Sequence, residues 1–141
     1  MKIIIRCCSI IFLIVVVMGH SKTQISLEKT LKKYEWEKRI LLFIAEKKDI
    51  ELIRNVNSFF NDKTCENNDR NLVLYKIIGS EINNYKIPQK YQGKTGIWLI
   101  GYDGNDKSFS KDSSLINNLY NIIDDMPMRK DEMINNESDC N

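Results

Sequence analysis

The sequence predicts a three-layer α/β fold, with a central mixed sheet of about four strands flanked by helices. Three observations predict it. Residues Arg39 to Ala45 read RILLFIA, a continuous apolar run without a turn residue, as a strand buried on both faces requires. Asp49 then opens a stretch with Ile50, Ile53, Val56 and Phe60 on one side, the pattern of an amphipathic helix with an acidic first turn. Later, Ile97 to Tyr102 and a run around Lys107 to Ser110 read as two strands joined at Asp103-Gly104, a strong tight-turn signal.

The remaining elements fall between these. Leu27, Leu31 and Tyr34 recur at helical spacing, so a short opening helix is expected with Ser26 as its cap. The polar stretch Asn61 to Asp69 ends the helix that Asp49 opens. Asn71 to Ile78, NLVLYKII, reads as a second strand closed by Gly79. In Ser80 to Gln92, Ile82, Tyr85 and Ile87 allow a short helix before Pro88. Finally Leu115, Ile116, Leu119, Ile122, Ile123 and Met126 share one helical face; Asp112 and Ser113 lie near its start and Pro127 marks its end. Strand, helix, strand, short helix, strand, hairpin, strand, helix is the element order of a thioredoxin-like domain.

The N-terminus reads as an address. Lys2 and Arg6 precede an apolar run from Cys7 to Met18, and small residues follow at Gly19 and Ser21. This is the pattern of a secretory signal peptide over residues 1–21, with cleavage after Gly19 or after Ser21. A membrane anchor is the competing reading, but about 12 residues at about 1.5 Å each reach only about 18 Å, short of the roughly 30 Å hydrocarbon core. The expected division is a signal peptide at 1–21, one domain at 22–134 and a polar tail at 135–141, secreted and with no stable membrane span after cleavage.

Charge and composition exclude several functions. The chain has 21 Lys and Arg against 19 Asp and Glu, and Lys2 and Arg6 account for the difference. Balanced charge argues against nucleic-acid binding, which needs a basic excess on one face. The only histidine, His20, lies at the signal junction, so histidine-dependent nucleophilic catalysis is excluded after cleavage. Two separated cysteines without histidine do not complete a zinc site, and no cofactor is implied. Gln92-Gly93-Lys94-Thr95 resembles the end of a phosphate loop, yet Pro88 stands where its first glycine belongs and a strand, not a helix, follows. Asp103, Asn105 and Asp106 resemble the start of a calcium loop that Lys107 and a missing distal Glu break. Asp124 and Asp125 are adjacent carboxylates, but neighbours on a helix face different ways.

In a redox enzyme of thioredoxin-like fold, two cysteines separated by two residues follow the first strand, the first at a helix N-terminus that lowers its pKa. Here Lys48 and Glu51 stand in those places, and Thr95 and Gly96 occupy the region before the third strand where such enzymes have a proline. Dithiol exchange therefore has no nucleophile. After signal cleavage Cys65 and Cys140 remain. One reading pairs them in a disulfide, as two cysteines in an oxidising compartment favour. In the other, Cys140 is unpaired in a polar tail and Cys65 acts as a lone nucleophile, with Lys63 near it and Glu66 opposing. Asn136-Glu137-Ser138 is the only glycosylation sequon, with Asn136 as acceptor.

Three stretches occur in a specific order: Trp36-x-x-Arg39-x-Leu41-Leu42-Phe43-x-Ala45, Leu99-Ile100-Gly101-x-Asp103-Gly104-x-x-Lys107, and Ile123-Asp124-x-Met126-Pro127-Met128-Arg129-x-x-Glu132-Met133. Together they resemble the secreted domain-of-unknown-function family 4174, also found in sushi-repeat-containing and coiled-coil-containing extracellular matrix proteins and described there as peroxiredoxin-like. The resemblance implies a thioredoxin-like fold, an extracellular or cell-surface setting and a partner that is an extracellular protein or matrix component. It implies no established activity and no catalytic residue. Read as structure, Trp36 seals one end of the sheet, Pro127 stops the last helix, and Arg39 and Arg129 pair with Asp124 or Glu132 to hold the C-terminal segment to the first strand. Read as function, Arg39, Asp124, Arg129 and Glu132 line a polar patch that recognises a partner, with Trp36, Met126, Pro127 and Met128 beside them.

Overall fold

The computed structural model describes residues 23–135 and Cys140. Residues 1–22 and Asn136 lie outside the described residues, and with them the signal peptide, its cleavage points and the glycosylation sequon. Within the described residues, the elements in chain order are β1 (Ile25–Ser26), α1 (Leu27–Lys32), β2 (Arg39–Ala45), α2 (Ile50–Asp62), α3 (Thr64–Asp69) and β3 (Leu72–Ile78). A 3₁₀ turn (Gly79–Asn84), β4 (Tyr85–Lys86), β5 (Gly96–Ile100) and β6 (Asp106–Ser110) follow. The chain then forms α4 (Ser114–Asn117), α5 (Leu119–Asp124) and α6 (Pro127–Asn135).

β2 is the axis of the molecule, because all of its residues are buried. It pairs in parallel with β3 and antiparallel with β5, and β5 pairs antiparallel with β6, giving the order β3-β2-β5-β6. Side chains alternate across a strand, so this one run feeds two cores. Leu41, Phe43 and Ala45 face α2, α4 and α5, meeting Val56, Leu115, Leu119 and Ile123. Ile40, Leu42 and Ile44 face the other way, toward Leu27 of α1, Tyr91 and Trp98. A mixed four-stranded sheet with helices on both faces results, as the sequence predicts.

Local signals account for most boundaries. Ser26 caps α1, its hydroxyl accepting from Lys29 N at 3.3 Å. Gly79 ends β3 with φ +59°, in the region that favours glycine. Between β5 and β6 the connection is longer than a two-residue turn: residues 101–105 span it, with a bulge at Leu99/Ile100. Asp103 Oδ1 accepts from Asn105 N at 3.2 Å and Gly104 takes φ +70°, an Asx turn built from the Asp-Gly pair.

Several expectations are corrected. Asn61 to Asp69 does not simply end α2, because Thr64–Asp69 forms α3 after a break at Lys63 (φ −113°, ψ 33°). The apolar face from Leu115 to Met126 is divided into α4 and α5 at Asn118, whose short amide side chain competes with helical bonding and instead accepts from Asn121 Nδ2 at 2.7 Å. Pro127 ends one helix and opens another, as the first residue of α6, where its missing N–H costs nothing. Trp36 does not seal the sheet. It is 64% exposed with φ +66°, in the turn between α1 and β2, and its N–H donates to Tyr102 O at 2.7 Å.

Gly96 shows how tightly the third sheet strand enters. With φ +142°, a Cβ there would lie 2.5 Å from Ser110 O and 2.7 Å from Phe109 Cε2. Gly96→Ala should therefore cost about 2 kcal/mol in strain and displacement. Gly93→Ala, at φ +68° with nothing near its Cβ position, should cost about 1 kcal/mol. Urea denaturation of both variants checks the difference.

Candidate functional site

Two places on this scaffold bear on function, one at each end of β2. At the end where β2 passes to α2, the fold would carry a redox dithiol. Asp49 Oδ2 accepts from Glu46 N at 2.9 Å and Lys48 Nζ pairs with Glu46 at 2.9 Å. The Glu46 carboxylate, through that hydrogen bond, holds the Lys48 ammonium above its ordinary range. A cavity of about 700 Å³ opens here, lined by Lys48, Glu51, Thr95, Lys111, Asp112 and Ser114 among others, none of which carries a thiol.

The other end is built around arginines. Arg39, the first residue of β2, is 1% exposed. Its Nη1 donates to Arg70 O at 2.8 Å and to Glu132 Oε2 at 3.1 Å, while Nη2 donates to Glu132 Oε1 at 3.3 Å. The guanidinium lies 4.1 Å from the Tyr102 ring centre, in cation–π contact. Arg70 grips Asp124 with two bonds, Nε to Oδ1 at 3.0 Å and Nη2 to Oδ2 at 2.7 Å, and lies over Tyr120 at 4.2 Å. Arg129, buried on α6, donates from Nε to Asp124 Oδ1 at 3.3 Å and from Nη1 to Asp69 O at 2.8 Å. It also pairs with the Asp69 carboxylate and approaches Glu132 at 3.5 Å.

Three arginines thus meet three carboxylates. Burial alone would lower the Arg129 pKa, but the bonds to Asp69 and then Asp124 outweigh it and hold the guanidinium above its ordinary value. For Tyr102, burial first and the Glu132 carboxylate second raise the phenol. Of the sequence-selected residues, Arg39, Asp124, Arg129 and Glu132 fall in this network. The pairing of Arg39 with Glu132, and of Arg129 with both Asp124 and Glu132, follows the bracing arrangement read from the sequence. Nothing in the sequence singles out Arg70 and Asp69 for this network. They lie at the exit of a polar stretch with no periodicity, and only the return of β3 beside β2 brings them here.

Trp36, Met126, Pro127 and Met128 line an adjoining apolar groove of about 530 Å³, with Tyr102 and Ile122. Arg39 lines it too and links groove to network. Its Nε is buried with no hydrogen-bond partner among the described residues. At the rim, the hydrogen bond from Lys107 Nζ (2.7 Å), with those from Asn105, lowers the Asp103 carboxyl to about 2.

Cys65 of α3 is bonded to Cys140, with S–S 2.11 Å and Cα–Cα 5.7 Å, across a sequence separation of 75 residues. Among the described residues no group of three His, Cys, Asp or Glu is placed to hold a metal, and no helix is long and apolar enough to cross a membrane.

Parallel β2–β3, antiparallel β2–β5 and antiparallel β5–β6 define a thioredoxin-like α/β domain. Residues 30–132 match the family described as "Domain of unknown function (DUF4174)", and the chain belongs to that family. No curated protein and no solved structure matches it.

The bracing network sets two expectations. Arg129→Ala should destabilise by roughly 3 kcal/mol, because it strands partly buried carboxylates, and Arg129→Lys should not restore the bidentate contacts. A double-mutant cycle in urea with Asp124→Ala should give a coupling of at least about 1 kcal/mol; additivity would show that the pair does not brace α6. For Asp103 the folded pKa lies below the unfolded one, so its contribution is present above about pH 4 and fades as pH falls toward 2. Carboxyl ¹³C titration should show that low midpoint, and Lys107→Met should move it up toward 3.8.

Proposed function

We propose that this chain is a small secreted domain that acts without redox catalysis, as an extracellular binding or structural module for a protein or matrix component. The Cys65–Cys140 bond carries the reading. It occupies the sulfur that a lone-nucleophile enzyme would need, and it suits an oxidising compartment, as does the leader pattern of residues 1–21. Lys48 and Glu51 at the α2 N-terminus support it as well, since neither is the thiolate that dithiol exchange requires. What the geometry offers a partner is the Trp36 groove backed by a rigid ion network.

Intact mass of protein secreted from eukaryotic cells, alkylated with and without reduction, tests the reading. The expected species begins at residue 20 or 22 and takes up two alkyl groups only after reduction. Labelling of Cys65 before reduction, with peroxide consumption lost in Cys65→Ser, would replace the binding module with a thiol enzyme. A protein that begins at Met1 would restore the membrane anchor. The pair Cys65→Ser/Cys140→Ser should lose roughly 4 kcal/mol of stability, the loop-closure value for a bridge of this span, measured by urea denaturation without reductant.

A further inference from the structure

Of the nine residues of α6, only Arg129 is buried and Glu132 half-buried; the rest are exposed. Little apolar contact therefore holds this helix. Two other attachments do. One is ionic, the pairing of Arg129 and Glu132 with Asp69, Asp124 and Arg39. The other is covalent, the bond from Cys140, beyond the helix end, back to Cys65 of α3. A segment with few buried apolar groups opens at a lower free energy than the core. Once released, α6 would not stay helical, because isolated helices shorter than about 12 residues are marginal in water. Of the two attachments, the covalent one is within reach of a thiol in solution: Cys65 is exposed and Cys140 half-buried.

We propose that the Cys65–Cys140 bond is a redox latch on α6: when a dithiol reduces it, α6 detaches and unravels while the sheet and the other helices stay folded. This goes beyond the binding-module reading and does not depend on it. A thiolate of the dithiol attacks the exposed Cys65 Sγ, and Cys140 leaves as a thiolate that takes up a proton. The second thiol of the reductant, deprotonated, then attacks the reductant's own sulfur in the mixed disulfide and releases Cys65, which is protonated in turn. Two electrons pass to the protein and the dithiol ends as a disulfide. With the bond intact, an opened α6 sits in a loop closed between Met126 and Cys140; cutting the bond removes that constraint. For a loop of about 15 residues, the chain-entropy model makes the open state roughly a hundredfold more populated after reduction. Detachment takes Met128 from the Trp36 groove and Glu132 from Arg39, so the groove is complete only in the oxidised chain.

Native-state hydrogen exchange on the purified whole chain, followed across low urea concentrations, tests this. The samples are the oxidised chain, the chain reduced with dithiothreitol and alkylated, and Cys65→Ser/Cys140→Ser. In the last two, the amides of Lys130 to Asn135 should exchange about a hundredfold faster than in the oxidised chain, with little dependence on urea. The amides of β2 should still exchange with the steep urea dependence of global unfolding. Glu132→Gln in the reduced chain should speed α6 by at least about tenfold more, because it weakens the ionic attachment that remains. Four results would each overturn the proposal: a bond that dithiothreitol does not cut in the folded chain, α6 amides that exchange equally fast before and after reduction, α6 exchange that follows the urea dependence of β2, or a Glu132→Gln variant that exchanges no faster.

Discussion

A guanidinium at the head of a strand buried on both faces needs carboxylate and carbonyl groups brought to it, because an unpaired charge there would cost more than the strand's packing could offset. Arg39 is that guanidinium. Glu132 meets it from α6, the last helix of the chain, and Arg70 O meets it from the turn that leads into β3. Once Glu132 is drawn inward, Arg129 one turn earlier on the same helix is buried as well, and it must find acids of its own. Asp69 and Asp124 supply them. Arg70 then completes the set against Asp124. The C-terminal helix is thus held by charge pairing rather than by an apolar stripe; its sequence PMRKDEMIN has little amphipathic character to hold it otherwise.

Disulfide and network act on the same two pieces of the fold. Cys65 and Asp69 are both on α3, while Arg129 and Glu132 on α6 precede Cys140. A buried ion network is a poor source of net stability but a strict judge of geometry, since each missing partner strands another charge. The bridge works differently: it reduces the freedom of the unfolded chain. One sets where α6 lies and the other limits how far it can leave. Together they fix α6, and with it the part of the groove that Met126, Pro127 and Met128 line, without a strong apolar stripe on that helix.

What could be read from the residues follows the range of the forces involved. β2, α2, β3 and the hairpin were legible because burial on one or two faces leaves a periodic mark within a few residues. Ser26, Asp103-Gly104 and Gly79 were legible because capping and turns are local. The division at Asn118 and the new helix at Thr64 were not, since short polar helices leave no periodic pattern and depend on contacts made elsewhere, here Tyr120 O–H to Asn67 Oδ1 at 2.9 Å and the bond at Cys65. Trp36 was misplaced for a related reason. A large aromatic residue reads as core from composition alone, and only the left-handed turn between α1 and β2 shows that its side chain points out. In the network, the pairs Arg39–Glu132 and Arg129–Asp124 could be guessed from charge, but the roles of Asp69 and Arg70 required the parallel register that sets Arg39 beside Leu72.

The two ends of β2 have diverged in what they offer. At its C-terminal end, Lys48, Glu51 and Thr95 surround an open polar cavity with no thiol, so the helix N-terminus of α2 has no cysteine to activate. Asp49 and Glu46 instead close the turn on each other. The N-terminal end carries the elaborate part: three arginines, three acids, two cation–π contacts and an apolar groove whose exposed tryptophan depends on a left-handed backbone. A domain that needed only to fold could replace such a network with apolar residues at little cost or some gain. In the binding module proposed above, the same network would keep the groove lined by Trp36, Met126 and Met128 in one geometry, with Arg39 both the first residue of β2 and one of the residues that line the groove.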